Sequence, residues 1–276
     1  MISFLRRLRG RPLGRAKNPE NSKLTLSAAD EMATIKAQGS PCLRLIPGGS
    51  GCSRLGGVPD MSSAWPRYEG RPLCCVAQLD LAEMRSAGGP AWLPDQGRLL
   101  FFYELEHAGW GLDPEDAGRA VVIYETGLPV EALEPDDLAE EARFPAYPIT
   151  FVADVSYPTE ERVSVDWNNL SPTESTLLST AIEGMAPAAP MHQVGGYPQP
   201  VQDDQMELEC QTATAGLRRL ANKPGSVSDW RLLLQLDTDD DAGMMWCDVG
   251  SLYFWVREQD ARDGDFSAAW MILQSS

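Results

Sequence analysis

The hexapeptides CVAQLD at 75–80 and LLLQLD at 232–237 decide how this chain is read. Each is a short apolar run carrying one amide, Gln78 or Gln235, before a closing Asp80 or Asp237. Runs of that length, bounded by turn residues, predict strands buried on both faces. An amide in such a strand must be paired, and each Gln is expected to bond the backbone of an adjacent strand or of the other half. Upstream of each strand stands a Gly-Gly-x-Pro corner, in SRLGGVPD at 53–60 and HQVGGYPQPVQ at 192–202. Downstream come PDQGRLLFFY and CDVGSLYFWV, which set Asp95, Gly97, Leu99 and Phe101 against Asp248, Gly250, Leu252 and Phe254. Three elements recurring in one order point to an internal duplication. From corner to amide there are 22 residues in the first copy (Gly56 to Gln78) and 40 in the second (Gly195 to Gln235), and a helix predicted over 204–221 accounts for the difference.

The fold class expected is therefore α+β and β-rich: a duplicated strand-rich unit with a few short helices, its two halves packed as one body. With 24 Gly and 21 Pro in 276 residues, short strands and turns are favoured over long helices. The divisions read from the chain are a basic flexible tail (1–23), a first β-rich repeat with an N-terminal helix (24–155), a connecting segment with a helix (156–191) and a second β-rich repeat (192–276). LSAADEMATIKAQ reads as the first helix, capped by Ser27. A Gly-rich corner is read from Pro47 to Gly57. Further strands are read at 97–106, 120–125, 149–155, 250–258 and 266–274. SPTESTLLSTAIEGM carries Ser171 as cap, Pro172 at the first helical position and Glu174 completing a capping box.

Charge is unevenly placed. Through Lys23 there are seven cations against Glu20, while the whole chain carries −17, leaving −23 on residues 24–276. Residues 104–141 hold twelve acids against Arg119, with Pro114, Pro129 and Pro135 among them, and read as an exposed acidic surface. Such a body repels nucleic acid and attracts basic partners. No apolar run spans a bilayer, and no apolar segment follows the tail's arginines as an export signal requires. The six cysteines include no C-x-x-C pair and only two histidines exist, so neither metal nor cofactor is expected, and reduced thiols in a bacterial cytoplasm are.

LGGVPD, AQLDLAEM, LPDQGRLLFFY, WGLDP, HQVGGYP, LLLQLD and W-x-D-V-G-SLYFW together resemble the YwqG-like family of bacterial proteins of unknown function, over about residues 40–276. Cys247 departs from the Gly that the resemblance leads one to expect. The family is grouped with the programmed-cell-death-2 relatives, which act as dedicated chaperones for a ribosomal protein; their extra zinc finger has no counterpart in this chain. The resemblance thus implies a chaperone-like partner role.

Candidate site residues are those that recur. Gly56, Gly57 and Pro59 pair with Gly195, Gly196 and Pro198, either as backbone nests for an anion or peptide carbonyl or as tight corners. Gln78, Asp80, Gln235 and Asp237 are structural amides and turn caps, or polar contacts in a cleft. Asp248, close to Trp246 among the candidate cleft residues, is either a turn-forming residue or a polar group at a cleft edge, and His192 beside the second corner is either a hydrogen-bonding group or an acid–base group. No hydrolase or EF-hand template is present: G-x-S-x-G is missing, and Asp237–Asp241 lacks the glycine and distal Glu of a calcium loop. The expected function is a non-enzymatic protein-binding module, chaperone-like or immunity-like, engaging a basic protein through an acidic surface or the cleft between repeats. The alternative is a small-ligand-binding protein or enzyme with a site between the repeats. Oligomeric state is not fixed by the sequence.

Overall fold

The computed structural model describes residues 26–217 and 225–276. The basic tail lies outside them, as does the expected helix from residue 218 onward. In chain order the elements are α1 (Leu26–Ala37), β1 (Ser40–Pro47), β2 (Arg54–Leu55), β3 (Arg67–Tyr68), β4 (Arg71–Pro72), β5 (Cys74–Asp80), α2 (Leu81–Ser86), β6 (Arg98–Tyr103), β7 (Ala120–Glu125), β8 (Tyr147–Ser156), α3 (Pro172–Glu183), β9 (Gln193–Val194), α4 (Met206–Thr214), β10 (Trp230–Asp237), β11 (Ser251–Arg257), α5 (Glu258–Arg262) and β12 (Trp270–Gln274). Helix α1 begins one residue before Ser27, which is therefore inside the helix rather than its cap. The capping box of α3 is formed: Glu174 N–H donates to Ser171 Oγ (3.3 Å), and Ser171 N–H donates to Glu174 Oε2 (2.8 Å).

Ten strands build one sheet in the order β12-β11-β10-β9-β1-β8-β2-β5-β6-β7, while β3 and β4 pair separately. Strands β7 and β12, at its two ends, approach each other, so the sheet is nearly closed. At its middle β1 pairs with β8 from Ser40↔Ser156 to Pro47↔Ile149. On one flank Arg54↔Gln78 joins β2 to β5; on the other Gln193↔Gln235 joins β9 to β10. Strands β5 and β6 pair Ala77↔Phe101 and Gln78↔Leu100, with a bulge at Val76. Strands β10 and β11 pair Leu234↔Phe254 and Gln235↔Tyr253, with a bulge at Leu233. Each bulge falls two residues before the amide.

Strand β5 is apolar on both faces because both are covered. Inward, Ala77 and Leu79 join a core that includes Leu43, Leu55, Phe101, Trp246 and Phe254. Outward, Leu73 and Cys75 pack with Met61, Leu100 and Phe102. Across the inner core Phe101 meets Phe254 edge to face at 5.1 Å, and Tyr103 meets Trp246 at 6.1 Å. On the outer face of β10–β12, Trp230, Tyr253, Trp255 and Trp270 pack under α4 through Met206 and Cys210. Helices α1 and α3 form a separate small cluster of Met32, Ile35, Leu178 and Ile182. The six cysteines are free thiols.

The acidic stretch 104–141 is not uniformly exposed. Glu104 is buried against Arg119 (2.8 Å), and Glu125 is buried where it accepts from Ser62 and Ser63. The loop between β6 and β7 also reaches across to the far end of the sheet. Leu273 N–H donates to Trp110 O (3.0 Å), and Trp270 Nε1 donates to Gly111 O (2.6 Å).

At Gly111 φ is +78°, and a Cβ there would collide with the Met271 carbonyl. Gly111→Ala is expected to lower unfolding stability by about 2–4 kcal/mol in urea titration. A loss below about 0.5 kcal/mol, within the ordinary range of surface changes, would show that this crossing is not a fixed contact.

Candidate functional site

Each Gly-Gly corner is a left-handed turn: φ is +59° and +73° at Gly56 and Gly57, and +71° and +72° at Gly195 and Gly196. Glycine takes these angles at least cost, and the backbone then doubles back over the neighbouring strand. The buried amide reads the exit of that turn. Gln78 Oε1 accepts from Asp60 N–H at 2.7 Å, and Gln235 Oε1 accepts from Gln199 N–H at 2.9 Å. One residue upstream of β2 and β9 the pattern recurs with different chemistry. Asp80 N–H donates to Ser53 Oγ (2.9 Å), and Asp237 N–H donates to His192 Nδ1 (3.1 Å). At the outer strands Glu125 accepts from the N–H groups of Ser62 and Ser63, as Gln274 does from those of Val201 and Gln202.

The candidate residues therefore gather into two groups, separated in the sheet by β1 and β8. In the first, Gln78 Nε2 also donates to Cys52 O (3.0 Å) and Asp60 Oδ2 (2.7 Å), and Asp80 caps α2 through Glu83 N–H (2.9 Å). Gly56 and Gly57 lie against Phe144, Pro145 and Ala146, and Pro59 is buried. In the second, Asp237 accepts from Met191 N–H (3.0 Å) and from the Ser251 hydroxyl. Gln235 Nε2 has no partner among the described residues, and Pro198 is buried. Trp246 sits in the core and donates to Asp237 O (3.1 Å), while Asp248 is exposed and its carbonyl accepts from Ser276 N–H.

His192 is buried, with Nε2 at 3.1 Å from Asp239 Oδ2. Because Nδ1 accepts from Asp237 N–H, the proton of the neutral ring is assigned to Nε2, which donates to Asp239. Burial pushes its pKa below the ordinary value, against the pull of Asp239. Both ring nitrogens are committed to holding β9 and the turn after β10.

Of the candidate residues, Gly195 and Gly196 reach a cavity. It measures about 550 Å³ and is walled by Trp92, Tyr197, Trp230 and Trp255, with Arg162 and Glu207 as an ion pair on its border. Both Glu207 oxygens accept from the Arg162 guanidinium at 2.7 Å. Burial pushes the Cys42 thiol at the same wall up, away from the nucleophilic thiolate. The sequence flagged Trp246 rather than these aromatics because the wall is assembled from four distant segments. The signal that was available is Gly88-Gly-Pro-Ala-Trp92, a tryptophan set in a turn. One cluster of metal-ligand type among the described residues, Glu104, Glu106 and His107, is already engaged: Glu104 accepts from Arg119 and from the N–H groups of Glu106 and His107.

A protein-family model described as "Domain of unknown function (DUF1963)" matches residues 53–275. No curated protein matches the chain.

Gln78 fills four hydrogen bonds, whereas the Gln235 Nε2 group has no partner among the described residues. Gln78→Leu is expected to cost about 3 kcal/mol and Gln235→Leu about 1–2 kcal/mol in urea unfolding; the reverse order would refute this assignment. For His192 the unfolded chain takes up the proton first as pH falls below about 6.5. Its contribution to stability is thus complete above that pH and is lost as pH drops toward the depressed folded pKa. His192→Gln should flatten the loss of stability between about pH 7 and 5.5. Parallel profiles for variant and wild type would contradict a buried neutral ring.

Proposed function

We propose that this chain, which belongs to the DUF1963 family, is a non-enzymatic module that binds a basic segment of another protein on its acidic surface. The observation that carries this reading is a groove of about 330 Å³ between α3 and the segment after the second corner. Its lining includes Glu160, Glu161, Glu183 and Asp204, and no Lys, Arg or His. The first three are exposed, while Asp204 is buried, held by Arg162 (2.5 Å) and the Thr159 hydroxyl (2.6 Å). Ile182 and Met185 supply an apolar wall. A Lys or Arg stem laid on those side chains would bring its charged head among the carboxylates. The −17 of the whole chain favours the same encounter at longer range.

This favours the acidic surface over the two Gln–Asp groups, whose polar atoms are largely spent on the chain's own backbone. A chaperone-like or immunity-like role in the bacterial cytoplasm, with kinship to the YwqG-like and programmed-cell-death-2 proteins, fits the same chemistry, because each shields a basic client. The further reading is that the chain is two copies of one strand unit. Matching strand registers, matching bulges and the recurring amide, Ser53/His192 and Glu125/Gln274 contacts support it.

In pull-downs from cell lysate at low and moderate salt, wild-type protein should retain basic proteins. Glu160→Lys/Glu161→Lys/Glu183→Lys should lower that recovery by about tenfold, the effect of about 1.4 kcal/mol. If the triple variant retains the same proteins to the same extent, the acidic groove is not the binding surface.

A further inference from the structure

The aromatic cavity at the second corner differs chemically from the acidic groove beside it. Its apolar wall consists of Trp92, Tyr197, Trp230, Trp255 and Leu232, together with two prolines of the chain itself, Pro41 and Pro90. Trp92 and Tyr197 are half-buried and so still present accessible ring surface. The charged lining, Arg162 and Arg231 beside Glu207, carries more side-chain donors than free carboxylates. Trp255 Nε1 and Arg162 Nε, both buried, have no acceptor among the described residues. The one carboxylate in the lining, Glu207, has both oxygens occupied by Arg162. Trp230 is already satisfied, its Nε1 bonded to Gln211 and its ring beneath Arg257 at 5.2 Å. Tyr197 likewise carries Arg162 over its ring, at 5.9 Å. The chain's own cations thus already stand at two of the four aromatic rings, which disfavours a bare cationic ligand in this cavity.

A ligand matched to such a lining brings flat apolar rings and hydrogen-bond acceptors, and few donors. A polyproline II segment has that composition: its proline rings pack on aromatic side chains, and its prolines carry carbonyls but no N–H. The cavity and the groove are neighbours. Arg162 borders the cavity, its partner Asp204 borders the groove, and Gly195–Tyr197 leads directly into Gln199 and Pro200 of the groove wall.

We infer that the two form one bipartite site for an extended, proline-containing segment with a basic flank, prolines lying in the aromatic cavity and Lys or Arg side chains in the groove. This rests on the reading of a basic partner and specifies its chemistry.

The test uses the full chain and fluorescence polarisation with three labelled peptides of equal length. One is an oligoproline ending in arginines, one a glycine–serine peptide ending in the same arginines, and one an oligoproline without them. The oligoproline–arginine peptide should bind about tenfold more tightly than the glycine–serine–arginine peptide. Trp92→Ala and Tyr197→Ala should each remove that advantage while leaving the salt-sensitive arginine contribution in place. Circular dichroism and the thermal midpoint check that these variants fold, and Trp92→Leu and Tyr197→Leu replace them where they do not. Equal affinity for the two arginine peptides, or an undiminished proline preference in the folded variants, would overturn the bipartite site and leave the basic-partner reading standing. Absence of binding by both arginine peptides at low salt would overturn both.

Discussion

Every strand of the large sheet depends on one ladder, the antiparallel pairing of β1 with β8. It runs eight residue pairs long and stands in the sheet between the group β9–β12 and the group containing β2 and β5–β7. Strands β2 and β9 are two residues each and could not hold a sheet together. Instead each borrows rigidity from a long neighbour: β9 lies against β1, and β2 against β8. The tight glycine corners follow from this arrangement. A chain that pairs for two residues and then must leave the sheet needs a left-handed turn at once, and the Gly-Gly pairs allow it. The buried glutamines then fix where the turn goes, by accepting an N–H from its exit.

How much of this could be read in advance depends on what each residue has to do. Strands β5, β6, β10 and β11 were legible because both faces are covered, so apolar residues run without interruption and stop at Gly or Asp. The pairing need of Gln78 and Gln235 was legible for the same reason, since an amide in such a run has few ways to be satisfied. Strand β1, the centre of the sheet, gave no such pattern. Its sequence SPCLRLIP has a proline near each end and Arg44 in the middle, and its burial is mixed. Arg44 is tolerated because it bonds Asp154 on β8 (3.0 Å) and Gln193 on β9, contacts that span more than a hundred residues of chain and leave no local trace. The aromatic cavity was hidden likewise. Trp92, Tyr197, Trp230 and Trp255 share no periodicity, and only the fold places them together. Trp246, read with Asp248 as a candidate cleft residue, is instead a core residue whose indole N–H locks the end of β10.

The division between architecture and recognition is accordingly sharp. Motifs that recur in the chain are spent on holding strands, and their polar atoms face inward onto backbone. The surfaces proposed for a partner lie where the two groups of strands differ. The outer face of β5–β6 is covered by Met61 and Trp65, whereas that of β10–β12 lies partly under α4, leaving the aromatic cavity between β1, the segment 88–92 and the second corner. The acidic groove sits on α3, which lies between β8 and β9, whereas no helix stands between β1 and β2 among the described residues.

The crossing of residues 110 and 111 onto β12 bears on how copies of the chain behave toward one another. An open sheet ends in unpaired N–H and C=O groups that template lateral association. Here the Leu273 N–H at one such end is taken by Trp110 O, with Gly111 pressed against the strand and Trp270 Nε1 fastening it. The segment obstructs lateral strand addition at that edge, so self-association by edge pairing is discouraged there without the sheet having to complete a barrel. Under the proposed function the partner is met by side-chain surfaces, which charge and shape can make selective in a way that backbone pairing alone cannot.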